Sequence, residues 1–245
     1  MPRLFVEHPL ADNADPELTL PPGAARHAQV LRLQPGSELT LFDGSGLDWP
    51  AEVLKMGRSE VAVRLGKPVR IARELPHAVT LAVVMPANDR MDGIVEKATE
   101  LGVAAIQPLM SERSVLRLSD DRAEKKVAHW RGVAIAACEQ SGRSRVPEIA
   151  PVQSLAQWLG ALPASAEAQR RWLLSPVAAE PIAARATEAA DATVVLSGPE
   201  GGLSAAEEAL ARERGFVALQ LGPRILRADT APLAVLGWLA LSQPA

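Results

Sequence analysis

From about residue 75 onward the chain alternates short apolar runs with longer segments at helical spacing, and this alternation constrains the fold more than any other feature. The strand candidates are Val79 to Met85, Val103 to Leu109, Trp172 to Leu174, Thr193 to Leu196 and Phe216 to Leu221. Between them lie helix candidates at Asp89 to Leu101, Ala123 to Gln140, Pro181 to Ala190, Ala205 to Arg214 and Ala231 to Ser242. Parallel neighbours need a crossover long enough to hold a helix, so the pattern predicts an α/β fold with a parallel sheet. The helix at Ala205 carries its own start signal, because Ser204 is followed three positions later by Glu207, the spacing of a capping box. The Ala-rich stretch from Leu159 to Gln169 reads as a surface segment or loop.

Before residues 68 to 78 the texture differs. Apolar residues come in short alternating runs such as Leu39-Thr-Leu-Phe42 and Val61-Ala-Val-Arg-Leu65, separated by Gly36, Gly44, Gly46, Gly57 and Gly66. Short strands and tight turns look like this. One or two helical turns are expected at Ala24 to Leu33, where Ala28, Val30 and Leu31 keep helical spacing until Pro35-Gly36 stops them. The expected organisation is a small β-rich domain over residues 1–72 and an α/β domain over 73–245.

Hydrophobic residues at 48% and charged residues at 22% exclude a wholly disordered chain. A net charge of -3 does not advertise a polyanion-binding surface, so any nucleic-acid contact is local. Arg113, Arg117, Arg122, Arg143 and Arg145 make such a local surplus, although a solvated charged face accounts for it equally well. Cys138 is the only cysteine, which excludes an intrachain disulfide and a Cys-rich zinc site; in its helical run it reads as a small core residue. The first apolar run breaks at Glu7, too early for a secretory signal, and Ala231 to Leu241 is too short to span a bilayer. A soluble, cytoplasmic protein is expected.

The candidate chemistry lies in two late loops. In Val194-Val-Leu-Ser-Gly-Pro-Glu-Gly-Gly-Leu-Ser204 a buried strand ends, a glycine–proline turn follows and a capped helix begins, which exposes backbone groups at a strand's carboxyl end, where α/β folds hold ligands. Gly198, Gly201 and Gly202 let an adenosine-sized group approach the main chain. Leu221-Gly-Pro-Arg-Ile-Leu-Arg-Ala-Asp-Thr-Ala-Pro232 repeats the pattern, with Pro232 in the first turn of the next helix. Arg224, Arg227, Asp229 and Thr230 crowd this second loop beyond what a turn requires, yet Arg227 and Asp229 pairing with each other is an equally good account on spacing alone. The chain has no phosphate loop and no Gly-x-Gly-x-x-Gly after its first α/β strand. His8, His27, His77 and His129 lack metal-ligand spacing, and no serine sits in a nucleophile elbow, so hydrolase and metalloenzyme readings fall.

Five segments, in order, resemble the RsmE family of bacterial small-subunit ribosomal RNA methyltransferases in the SPOUT superfamily. They are Arg26-His-Ala-Gln-Val-Leu-Arg-Leu33, Lys97-Ala-Thr-Glu-Leu-Gly-Val103 with Ser111-Glu-Arg-Ser114, Glu139-Gln-Ser-Gly-Arg143, Gly198-Pro-Glu-Gly-Gly202, and Leu221-Gly-Pro-Arg-Ile-Leu-Arg227. The resemblance implies a PUA-like RNA-binding β-barrel over 1–72, then a SPOUT domain whose carboxyl-terminal part forms a trefoil knot. It also implies a homodimer that uses S-adenosylmethionine to form N3-methyluridine in 16S rRNA of the small ribosomal subunit. Carried over, the cofactor would be held by Leu196, Ser197, Gly198, Pro199, Glu200, Gly201 and Gly202, and by Leu221, Gly222, Ile225, Leu226, Arg227 and Thr230. One position departs from the family: Arg-x-Glu-Thr-Ala is usual there and this chain has Arg227-Ala-Asp-Thr-Ala231, which shortens the reach of the acid at Asp229.

N3 of neutral uracil carries a proton, so the site must favour its anion. Arg227 or Arg224 is expected beside a uracil carbonyl, and Glu200 or Asp229 as proton acceptor or, equally, as a structural partner. Arg3, Arg26, His27 and Arg32 are candidates for RNA contacts, extended by Arg113 and Arg143, with packing as the rival for His27 and Arg32. Rival functions are a methyltransferase acting on another RNA such as transfer RNA, and a non-catalytic RNA-binding or ribosome-assembly protein.

Overall fold

The computed structural model describes residues 1–10, 16–58, 60–87, 90–116, 118–163, 169–185 and 190–242. Arg117 lies outside them. The chain divides into two compact units, Met1–Glu74 with Ile135–Val146, and Leu75–Ala134 with Pro147–Ala245.

The first unit contains β1 (Arg3–Phe5), β2 (Glu17–Thr19), α1 (Pro22–Val30), β3 (Glu38–Phe42), β4 (Leu47–Met56), β5 (Val61–Leu65) and β6 (Val69–Arg70). Its sheet runs β1-β3-β4-β5-β2 with β6 on β4; β1 is parallel to β3 and the other pairs are antiparallel. A register shift between Val53 and Lys55 bends the long β4, as an extra residue in one strand does. The alternating residues turn inward as expected: Leu39 and Leu41, then Val53, then Val61 and Val63 form a core with Leu4, Val6 and Leu10. On this core α1 lays Ala24, Ala25 and Ala28. Val30 and Leu31 do not join them and are exposed. The helix ends there because Arg32 takes a left-handed φ of 56°, after which Leu33 is buried.

The segment Ile135–Val146 is fastened to this unit by side chains. Glu139 accepts a hydrogen bond from Phe5 N–H at 3.0 Å and lies 3.2 Å from His27 Nδ1. Arg143, 3% exposed, is paired with Glu74, and Arg73 donates to the carbonyl of Gly142. Arg3 forks onto Asp48 and reaches Ser144 Oγ at 2.9 Å, while Ser144 donates to Asp48. This corrects two expectations: Arg3 and Arg143 are not placed to meet RNA, because their guanidinium groups are enclosed and neutralised by carboxylates of the unit itself. Cys138 is buried as expected, and burial pushes its thiol up to about 12.

The second unit contains β7 (Ala78–Val84), α2 (Arg90–Glu100), β8 (Ala105–Met110), α3 (Asp120–Ser141, its end in the first unit), β9 (Glu148–Ile149), β10 (Gln153–Ser154) and α4 (Leu155–Ala161). There follow β11 (Gln169–Leu174), β12 (Glu180–Pro181), β13 (Ala192–Ser197), α5 (Ala205–Glu213), β14 (Val217–Gln220) and α6 (Thr230–Leu241). All described pairs are parallel, in the order β10-β8-β7-β13-β11-β14-β12 with β9 on β8. Helices cover both faces, which is why the central strands are apolar throughout. On one side α4 and α5 place Leu155, Trp158, Leu159 and Ala211 against Ala82, Val84, Leu173 and Leu196. On the other, α6 packs on β7 and β13, and Trp238 lies 6.2 Å from Trp172. Among the described residues no helix is long and apolar enough to cross a membrane.

Two readings of secondary structure change. The described part of Pro181 to Ala190 is not an α-helix: Glu180–Pro181 is an edge strand on β14, followed by one 3-10 turn, Ile182–Arg185, and residues 186–189 lie outside the described residues. Alanines there give helical propensity, but no buried residue in the turn gives it a face to pack. Leu159 is not in a loop either; it is buried in α4, which Ser154 caps by accepting from Gln157 N–H at 3.2 Å.

Candidate active site

Parallel strands put all their carboxyl ends on one edge of the sheet, and β13, β11 and β14 are successive neighbours there. The segments that leave these three strands enclose a cavity of about 680 Å3, within the roughly 300–1,000 Å3 of small-molecule sites. Ser197 to Leu203 supplies one wall, Leu174 and Pro176 a second, and Ile225 to Ala228 a third. A smaller cavity of about 280 Å3 adjoins it, lined by Leu219 to Leu226 and sharing Leu174, Pro176, Ile225, Leu226 and Ala231.

The first wall is held from several directions. Gly202 N–H closes a turn on the carbonyl of Pro199 at 2.9 Å and takes a φ of 66°, which favours glycine. A Cβ on Gly198 would lie 3.2 Å from Leu203 Cγ, so the loop can fold back this tightly only without a side chain there. The predicted capping box is complete, with Ser204 Oγ accepting from Glu207 N–H and Glu207 accepting from Ser204 N–H. The other oxygen of Glu207 accepts from Glu112 N–H at 2.8 Å, which ties the segment after β8 to the start of α5. From that segment Arg113 Nη1 donates to the carbonyls of Gly201 (2.9 Å) and Leu203 (3.2 Å). Arg113, expected to extend an RNA surface, braces this wall through Nη1 while its side chain stays exposed.

Glu200 faces the cavity, but its carboxylate is engaged: it accepts from Ala87 N–H at 3.2 Å and from Arg90 Nη1 at 3.1 Å. Arg227 lines the same cavity, whereas Arg224 lines only the smaller one. Among the described residues Arg227 makes no pair with Asp229, which removes the alternative that they neutralise each other. Asp229 is the residue before α6, with its Oδ1 3.4 Å from Thr230 Oγ1. Asp229 and Thr230 do not line either cavity, although their neighbours Ala228 and Ala231 do. The Leu196 side chain packs in the core shared with α4 and α5. Ser197, Gly198, Pro199, Gly201 and Gly202 border the larger cavity, Leu221 and Gly222 the smaller, and Ile225 and Leu226 both.

Sequence reasoning missed three contributors. Leu174-Ser-Pro176 ends a strand in the same way as Leu196-Ser-Gly-Pro199, and that echo was the available signal. Glu208 reaches the cavity from the first turn of α5 and accepts from Ser175 Oγ at 2.9 Å. Arg90 had no local signal.

Residues 73–240 match the model of the RNA methyltransferase domain family and residues 20–66 that of the RNA methyltransferase PUA domain. The ribosomal RNA small subunit methyltransferase E of Bacillus subtilis (strain 168) is 32% identical over 214 residues, 84% of this chain and 82% of that protein. This chain belongs to the ribosomal RNA small subunit methyltransferase E family. Solved structures similar to it include methyltransferase E from Neisseria gonorrhoeae bound to S-adenosyl methionine, with 35% identity, a TM-score of 0.88, and coverage of 98% of this chain and 97% of that one. A putative methyltransferase from Legionella pneumophila, in complex with the same cofactor, has 31% identity, a TM-score of 0.88 and the same coverage. Membership in the methyltransferase E family accounts for the pairing of a PUA unit with an α/β unit.

Proposed function

We propose that this protein transfers a methyl group from S-adenosylmethionine to N3 of a specific uridine in 16S rRNA of the small ribosomal subunit. The observation that carries the reading is the cavity at the carboxyl ends of β13, β11 and β14, formed by two glycine–proline loops and bordered by Arg227. Its residues suit the cofactor: main chain freed by Gly198 and Gly202 for an adenosine, apolar Leu174, Pro176, Ile225 and Leu226 for the flat base, and room beyond it for an acceptor. S-adenosylmethionine supplies a methyl group on a sulfonium sulfur, which keeps the electron pair of the C–S bond as that bond breaks.

The residues around it bind, exclude water and favour the N3 anion. Arg227, unpaired among the described residues, donates to a uracil carbonyl, where negative charge gathers as N3 loses its proton. The Gly201–Gly202 wall, braced by Arg113, fixes the donor and acceptor sites relative to each other. Residues 1–72 dock RNA through exposed Arg26 and Arg32, with His27 partly spent on Glu139. The β13 and β14 loops are the knot loops of the SPOUT domain spanning 73–245.

The enzyme acts as a homodimer in the cytoplasm. Supporting the homodimer, α6 is apolar around its whole circumference, yet Ala234 and Leu241 are exposed. A helix apolar on all sides is stable when all of them are covered. The test of function is to incubate the protein with small subunits from a strain lacking the activity and labelled cofactor, then map the labelled nucleoside. Labelled N3-methyluridine at one position is expected; a different labelled nucleoside, or no label, overturns the proposal.

A further inference from the structure

With uridine N3 as the acceptor, as proposed above, we propose that Arg90 is a second specificity-determining arginine, which with Arg227 brackets the target base, and that Glu200 positions it rather than acting as a base.

The two arginines enter one cavity from opposite sides. Arg90 begins α2, directly after the segment that leaves β7, and Arg227 lies between β14 and α6. In the sheet β7 and β14 are three places apart, with β13 and β11 between them, or about 14 Å at the usual strand spacing. Both border the cavity that the Ser197–Gly202 loop also lines. Arg90 is held at one end only: Nη1 donates to Glu200 Oε1 at 3.1 Å, and among the described residues its remaining N–H groups have no partner. Glu200 in turn is anchored by Ala87 N–H, so the carboxylate holds one nitrogen of a guanidinium that lines the cavity.

Two arginine donors suit uracil and not cytosine. Uracil flanks N3–H with two carbonyl oxygens, O2 and O4, both acceptors, and both take up charge when N3 ionises. Cytosine replaces O4 with an amino group, which would set donor against donor; a desolvated group left without a partner is what makes hydrogen-bond discrimination strong. The bracket thus selects the base and stabilises its anion by the same contacts. With Glu200 given to holding Arg90 through Oε1, N3 releases its proton to water, and the N3 lone pair then forms the bond to the methyl carbon.

The test compares single-turnover methylation of small subunits by wild type, Arg90→Ala, Arg90→Lys, Arg227→Ala and Glu200→Gln, with cofactor affinity measured by calorimetry for each. RNA carrying uridine or 5-fluorouridine at the target is used, the latter having a more acidic N3–H. Arg90→Ala should slow methylation of uridine about 100-fold at neutral pH with cofactor affinity retained, the magnitude of losing one anion-stabilising donor. Its rate should keep climbing with pH beyond the wild-type plateau, and 5-fluorouridine should recover most of the loss. Arg90→Lys should fall between, and Glu200→Gln should slow the reaction without abolishing its rise with pH. Equal slowing on both nucleosides, an unmoved pH profile, or a loss explained by cofactor affinity overturns the assignment of Arg90. If wild type forms no N3-methyluridine, the underlying reading fails first, and the wild-type product analysis shows it.

Discussion

Arg3 and Asp48 are joined by two parallel hydrogen bonds, Nη1 to Oδ2 at 2.7 Å and Nη2 to Oδ1 at 2.9 Å, and each side chain is 12% exposed. Ser144, from the segment that follows α3, donates to the same carboxylate. Burial alone would raise the Asp48 carboxyl, but the hydrogen bonds from Arg3 and Ser144 and the charges of Arg3 and Arg73 outweigh it and hold the group below its ordinary value. Removing the carboxylate leaves an enclosed guanidinium uncompensated, so Asp48→Asn should lose about 3 kcal/mol. Because the folded-state value is depressed, the contribution is complete above the unfolded carboxylate range near 4 and drains away as pH falls through the lower folded value. Thermal unfolding of both proteins across acid pH checks this: the gap should narrow below about pH 4, and a constant gap would mean that charge on Asp48 does not stabilise the unit.

Arg113 braces the wall of the larger cavity through two carbonyls. Arg113→Ala should weaken S-adenosylmethionine binding roughly 10-fold, the loss of a charge-assisted hydrogen bond at a partly solvated site. Calorimetry reads the affinity directly. An unchanged cofactor affinity with a changed RNA affinity would return Arg113 to an RNA surface.

Arg26 and Arg32 remain exposed, and among the described residues their guanidinium groups have no partner. Replacing both with alanine should weaken RNA binding and reduce the slope of log affinity against log salt by about 2, one for each phosphate no longer neutralised. Cofactor affinity should be unaffected. The same slope in the double variant would place the docking surface elsewhere.

Charge on the outer side of α6 should separate the subunits. Ala234→Glu with Leu241→Asp alters only exposed positions, so the fold should survive while sedimentation shifts from dimer to monomer. If the double variant sediments as wild type with intact circular dichroism, α6 is not the subunit contact.

The pattern of apolar residues made much of this molecule legible. Thr193 to Leu196 and Phe216 to Leu221 became β13 and β14, Ser204 and Glu207 closed their capping box, and both glycine–proline turns border cavities. These features depend on neighbours within a few positions, where spacing records which side of a strand or helix is buried. The Pro181 to Ala190 reading failed where propensity had no buried face to act on, and the α4 segment was missed because Leu155, Trp158 and Leu159 are few in a short helix.

The sequence by itself determined the alternation of strands and helices outside α4 and the segment after Pro181, the two loops at the carboxyl edge and the family to which they belong. Only the tertiary structure decided which charged residues are spent inside and which remain for ligands. Arg3 meets Ser144 across 141 positions, Arg113 meets Gly201 across 88, and Arg90 meets Glu200 across 110. An arginine looks the same in sequence whether it faces a phosphate or a buried carboxylate. Its role is set by the electrostatics of what folding brings beside it, and no local spacing records that.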